Sequence, residues 1–171
     1  MTVIKKMLLL VLSALLGILV LAGTGQYEID QVFQAANYGN DNTVPSLKAL
    51  GEVNDSRSDY VVGIYRHVLS TSSEAMTTAE QDLAAAKERI GQSLAKYEAL
   101  VSDDRDRALL AADRAAFNAL FALGEQVVAL SRQNRNDEAQ TLMRSRGDVM
   151  LAINKALEHV SYNETLAQQG V

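Results

Sequence analysis

The sequence predicts an all-α protein: an antiparallel, up-down-up-down four-helix bundle preceded by an N-terminal transmembrane helix. Three observations predict it. Apolar residues recur at alternating steps of three and four along nearly the whole chain, which is helical spacing, and no alternating strand pattern competes. The composition is helical too, with one proline in 171 residues and no tryptophan, and with abundant Ala, Leu, Glu, Gln and Arg. Such residues lose little rotamer freedom in a helix. Finally, an uncharged apolar run, Met7 to Gly23, follows two lysines.

That run is the first element. At 1.5 Å per residue, roughly 17 to 20 residues reach about 26–30 Å, enough to cross a bilayer core. Lys5 and Lys6 favour a cytoplasmic N-terminus, so the chain after Gly25 is expected outside the cytoplasm. The expected division is 1–25, a cytoplasmic stub with the membrane helix, and 26–171, the external bundle. A cleaved signal peptide, ending at Val20-Leu21-Ala22, is the alternative reading of the same run. Gly23-Thr24-Gly25 follows no strand and is not a phosphate loop.

Four external helices follow. The first carries Val44, Leu47, Leu50, Val53, Tyr60, Ile64 and Val68 on its seam. Pro45 either opens it, where a missing N–H costs nothing, or kinks a helix continuing from the membrane. The second carries Ala79, Leu83, Ala86, Ile90, Leu94, Tyr97 and Val101, and Thr77-Thr78-Ala79-Glu80 reads as a capping box at its start. The third runs through Leu109, Ala112, Ala116, Leu120, Leu123, Val127 and Leu130, opened by Ser102-Asp103-Asp104 at the positive end of the helix dipole. The fourth is read as one helix with Ala139, Leu142, Val149, Ile153, Leu157 and Val160, opened by Asn136-Asp137-Glu138. Short connections make neighbouring helices antiparallel.

Composition removes several functional classes. Cysteine is absent, so disulfides, thiolate metal sites and cysteine nucleophiles are excluded. Beyond the two N-terminal lysines, 14 basic residues face 21 acidic ones. No basic stripe with interleaved aromatics occurs, and nucleic acid is not an expected partner. His67 and His159 lie too far apart along the bundle to share a metal or haem, and both read as surface or seam residues. No cofactor is expected. No catalytic constellation rises above a charged helix face, so no enzyme is expected either.

Polar residues that interrupt the seams are the candidate ligand contacts. Arg57 falls between Val53 and Tyr60, and Arg146 between Leu142 and Val149. A guanidinium on a seam is costly unless paired or opened to a wet pocket. The two sit at similar heights below the distal turns and are expected to face one cavity. Alternatively, each snorkels outward or pairs with Asp55, Asp59 or Asp148. Arg66 lies on another face, suited to a partner subunit, and Arg135 and Arg144 add positive charge near the start of the fourth helix.

Three features together carry a family resemblance: the Lys-Lys apolar anchor leading into a helix, the segment NDNTVPSLKALGEV (Asn40 to Val53), and the ending LEHVSYNETLAQQ (Leu157 to Gln169). The chain resembles the four-helix-bundle periplasmic ligand-binding domain of methyl-accepting chemotaxis receptors. The resemblance implies a homodimer through the first helix, with a distal pocket at the interface where arginines grip carboxylates. Carried over by position, the site comprises Arg57, Tyr60, Arg66, Arg144 and Arg146, with Thr78 and Arg135 behind them. A di- or tricarboxylate suits such planar arginines. The family also implies a second transmembrane helix and a cytoplasmic output, neither of which lies within these residues. The chain therefore reads as a fragment, a truncated product or a stand-alone relative. The rival expectations are an input domain for a histidine kinase or cyclic-dinucleotide enzyme, and a membrane-anchored structural or adaptor bundle.

Overall fold

A computed structural model describes residues 2–169, apart from the side chains at 155–157 and 169. Helices account for nearly all of it, and no strand occurs among the described residues. The four predicted columns are present, preceded by the long apolar helix. The first column is continuous with that helix, and the last is broken in two.

Helix α1 (Val3–Tyr38), a π-turn (Gly39–Thr43) and α2 (Val44–Leu69) form one run of 67 residues, about 100 Å long at 1.5 Å per residue. No residue of α1 is buried against the rest of the chain. A helix satisfies its own backbone groups, so this uncovered apolar stretch is compatible with a lipid surround. Pro45 lies within the continuous run, in the first turn of α2. Its ring removes a donor and crowds the carbonyl four residues back. The π-turn just before it accommodates both effects. Val44 N–H donates to the Gly39 carbonyl, five residues back, which widens the ladder where the ring must fit. The same turn ties down the membrane-proximal end of the bundle, where Asn42 Nδ2 donates to the Leu100 carbonyl at 2.8 Å.

Helix α3 (Ser73–Glu98) starts earlier than the capping-box reading placed it. Ser72, in extended backbone, caps it by accepting from Ala75 N–H at 3.2 Å. Thr77 and Thr78 are already inside the helix, with hydroxyls donating to the carbonyls of Ser73 and Glu74. Glu80 is thereby free to reach other helices. Small residues let α2 and α3 approach closely. A Cβ at Gly63 would stand 2.9 Å from Leu83 Cδ2.

Helix α4 (Asp104–Arg132) opens as expected, its cap Asp103 accepting from Asp106 N–H at 2.8 Å. The chain then turns through Asn134, which holds the left-handed conformation at φ 58° that asparagine tolerates better than most residues. The fourth column differs from expectation. It is α5 (Asn136–Ser145) followed by α6 (Gly147–Gln169), broken at Arg146, whose φ −104° and ψ 42° leave the helical region. Ser145-Arg146-Gly147-Asp148 explains the break. Glycine costs a helix about 1 kcal/mol relative to alanine, and Ser and Asp compete for backbone groups.

The core runs the length of the bundle through Ile64, Leu83, Ile90, Tyr97, Leu110, Phe117, Leu120, Val127, Val149 and Ile153. Fully burying one such aliphatic or aromatic side chain is worth about 1.5–3 kcal/mol. Several seam assignments shift by one or two residues, Leu109 giving way to the buried Leu110 among them. Val44 is exposed and Ser46 buried in its place, and Ala112 is exposed beside a buried Asp113. The Leu157 seam position lies outside the described side chains.

Candidate functional site

At the distal end, where α2 turns into α3 and α4 into α5, the outer face of α2 is an apolar ridge. Val62, Tyr65 and Leu69 stand 47%, 54% and 72% exposed. A groove lies on each side of it. The groove against α3 is lined by Tyr65, Leu69, Arg66, Ser72, Thr78 and Asp82. The groove against α5 is lined by Tyr65, Val68, Leu69, Gln140, Met143 and Arg144. Three of the sequence-predicted residues, Arg66, Thr78 and Arg144, thus flank one ridge. Arg66 makes an exposed 3.5 Å contact with Asp82. Arg144 has no ion-pair partner among the described residues.

The other four candidates lie elsewhere. Arg57 and Arg146 do not face a common cavity. Arg146 sits at the α5–α6 break and pairs with Asp148, Nε to Oδ1 at 3.0 Å. The break turns it off the seam that a continuous helix would have given it. Arg57 points into a cleft shared with Asp113, Phe117, Ile153 and Val160, with its Nε buried and unpartnered. Arg135 forks onto Glu138 at 2.7 and 2.6 Å within the α4–α5 turn. Tyr60 is buried, its ring edge-on to Phe121 at 5.1 Å. Desolvation, aided by Glu125, pushes its hydroxyl up to about 12.

A polar cross-tie behind the ridge joins three helices. His67, fully buried on α2, places Nε2 3.0 Å from Glu80 Oε1 of α3. Glu80 also receives a fork from Arg132 of α4 at 2.7 and 2.6 Å. The Arg132 hydrogen bond, outweighing desolvation, lowers the Glu80 carboxyl to about 2. Ser131 Oγ donates to the His67 carbonyl at 3.3 Å.

The largest buried polar cluster was not anticipated at all. It lies at the membrane-proximal end and centres on His159 of α6, which is fully buried, on the seam rather than the surface. His159 Nδ1 is 2.6 Å from Asp113 Oδ2, and Nε2 is 2.7 Å from Asp106 Oδ1 and 2.9 Å from the Tyr97 hydroxyl. Tyr97 in turn donates to Asp106, and Asn163 Nδ2 donates to Tyr97 at 2.7 Å. Asp106 Oδ2 accepts from the backbone and hydroxyl of Ser102 at 2.9 and 3.0 Å. Close by, Tyr162 of α6 donates to Asp103, the cap of α4. The signal was present in the spacing: Asp106, Leu110, Asp113 and Phe117 step by four, three and four along one face of α4. Such aspartates, read singly, look like a helix cap and a solvated charge.

Comparison with known proteins agrees with this architecture. A family described as a four helix bundle sensory module for signal transduction matches residues 1–170. A curated relative, "Putative sensory transducer protein YvaQ" of Bacillus subtilis (strain 168), is 22% identical over 142 residues. The match covers 83% of this chain and 25% of the relative, so the chain spans about a quarter of that protein's length. No solved structure matches it. With an apolar N-terminal helix long enough to span a membrane and the family match running from the first residue almost to the last, the chain belongs to the four-helix-bundle sensory modules of chemoreceptor-type signal transduction.

Proposed function

We propose that this chain is the periplasmic sensor module of a bacterial chemoreceptor, held in the inner membrane by α1. It binds a small organic acid at the distal end of a homodimer formed through α2. The observation that carries this reading is the exposed Val62–Tyr65–Leu69 ridge between two arginine-bearing grooves. An isologous pairing of two ridges would bury that apolar face and bring Arg66, Thr78 and Arg144 of both protomers to one interface. Arginine matches a carboxylate with two parallel hydrogen bonds. The Arg66–Asp82 contact is exposed, and such pairs are worth about 0–1 kcal/mol, so a ligand carboxylate displaces it cheaply.

A thermal-shift screen of di- and tricarboxylates on the full chain in detergent tests this. Ligand at 100 times its dissociation constant adds about 2.7 kcal/mol to stability. Arg66→Ala and Arg144→Ala should each remove the shift and leave the unliganded melting temperature unchanged. Arg146→Ala, whose partner is Asp148, should keep the shift. A parent that responds to no organic acid, or a shift that survives both ridge substitutions, rules out this site.

A further inference from the structure

Beyond the distal grooves, the His159 cluster stands out because it is buried, charged and located where α6 meets the start of α4. Both ring nitrogens of His159 face carboxylates, Asp113 on one side and Asp106 on the other. Only the imidazolium has a donor on each nitrogen. A neutral ring would turn a lone pair towards one of the carboxylates, in a site where the repulsion is poorly screened. Around the ring, α4 contributes Asp106 and Asp113, and α3 contributes Tyr97. The facing charged group of α2 is Arg57, in the cleft it shares with Asp113. Asp103 pairs with Tyr162, whose ring lies 4.6 Å beneath the Arg105 guanidinium. Asp41 of the π-turn is exposed and outside the cluster. Arg57 makes no ion pair with either aspartate among the described residues, so His159 is the cation paired with both buried carboxylates.

We infer that the His159 cluster is a second input site whose ligand is the proton, clamping α6 to α4 while protonated and releasing it as pH rises. Three residues of α6, His159, Tyr162 and Asn163, make every contact of the clamp, all within four residues of one another. Release would therefore free the membrane-proximal half of α6 without touching the distal grooves. The direction of titration follows from the partners. Desolvation alone would lower the His159 imidazole, but the Asp113 and Asp106 hydrogen bonds outweigh it and hold it above its ordinary value. Burial raises the Asp113 carboxyl against the pull of its hydrogen bond to His159. For Asp106, desolvation is outweighed by hydrogen bonds from Tyr97, Ser102 and His159, and the carboxyl stays below its usual range. A group raised in the folded state contributes stability in full below its unfolded value and loses it as pH rises through the folded one. The clamp accordingly holds below the raised His159 midpoint and opens as pH rises through it.

The test uses the full chain in detergent micelles. Carbon-labelled histidine gives two ring signals, from His67 and His159, and His159→Gln assigns them. The His159 signal should titrate above the ordinary imidazole value of roughly 6.5. Across that midpoint, amide exchange in residues 158–169 should accelerate about tenfold more than in residues 83–94, after correction for the intrinsic effect of pH. In His159→Gln the two segments should keep a constant ratio. If that variant does not fold, Asp113→Asn should lower the His159 midpoint by about one unit. A midpoint at or below 6.5, a midpoint that Asp113→Asn leaves in place, or exchange in α6 that tracks α3 throughout would overturn the inference.

Discussion

Glu80 ties three helices together with one carboxylate. His67 of α2 and Arg132 of α4 both bind it, and the Arg132 fork lowers it to about 2 from an unperturbed 4.5. A carboxyl lowered in the folded state contributes stability above its unfolded value and loses it as pH falls towards the folded one. Arg132 is largely exposed, so screening discounts the pair, and the contribution is about 1–2 kcal/mol rather than the full shift. Glu80→Gln should therefore melt lower than the parent at neutral pH. The gap should narrow as pH falls from about 4.5 towards about 2. Melting curves across that range check it, and a gap independent of pH would show that the contact is not ionic. At this scale the sequence was hard to read. Thr77-Thr78-Ala79-Glu80 fits a capping box, but Ser72 captures the helix start first, and nothing local announces that Glu80 will be claimed from two other helices. Asp106, Asp113 and His159 were missed for the same reason, since a charge acquires its role from partners 46 and 53 residues away.

Helices were far more legible, because period depends on neighbours rather than on distant partners. The four columns, the Asp103 cap of α4 and the acidic first turn of α5 follow directly from spacing and capping chemistry. The α5–α6 break escaped because apolar spacing continues across it from Leu142 to Val149, and only the Ser-Arg-Gly-Asp composition marks it. The π-turn escaped because Pro45 admits either a start or a kink, and the structure adopts a third solution. Glycines report how tightly these elements pack. A Cβ at Gly124 of α4 would run into the Tyr60 ring and hydroxyl, whereas one at Gly91 of α3 meets nothing within 4 Å. Helix propensity alone favours alanine at both positions by up to about 1 kcal/mol. Gly91→Ala should therefore stabilise by roughly 0.5–1 kcal/mol, while Gly124→Ala should destabilise by about 1–3 kcal/mol as Tyr60 is forced off its rotamer. Denaturant melts of both variants decide it, and equal effects would mean that α2 and α4 are looser than their geometry indicates.

For the whole molecule, the central asymmetry is that one column is about twice as long as any other among the described residues and bears its apolar surface outward. Along α1, beyond the membrane run, Tyr27, Ile29, Val32 and Phe33 are each more than 60% exposed, and the α2 ridge adds Tyr65 and Leu69. Exposed apolar surface of that extent, on one continuous helix, fits the proposed homodimer better than a solvated face. Under the proposed homodimer both stretches face a second copy, so the interface follows the α1–α2 column from the membrane to the distal turn. The opposite side of the bundle, where Glu125 of α4 is paired with Lys87 and largely exposed, stays in water. The absence of native cysteine makes the test clean. Leu69→Cys and Val32→Cys, each introduced alone into the full chain in membranes, should form disulfide-linked dimers on mild oxidation, because a C2 axis along the column brings each residue near its own copy. Disulfides need Cα atoms within about 7 Å, so a Glu125→Cys control should remain monomeric. Cross-linking at Val32 without Leu69 would confine the contact to the membrane-proximal helix and remove the shared distal pocket. Equal cross-linking at Glu125 would show collision rather than an interface, and the dimeric reading of the ridge would fail.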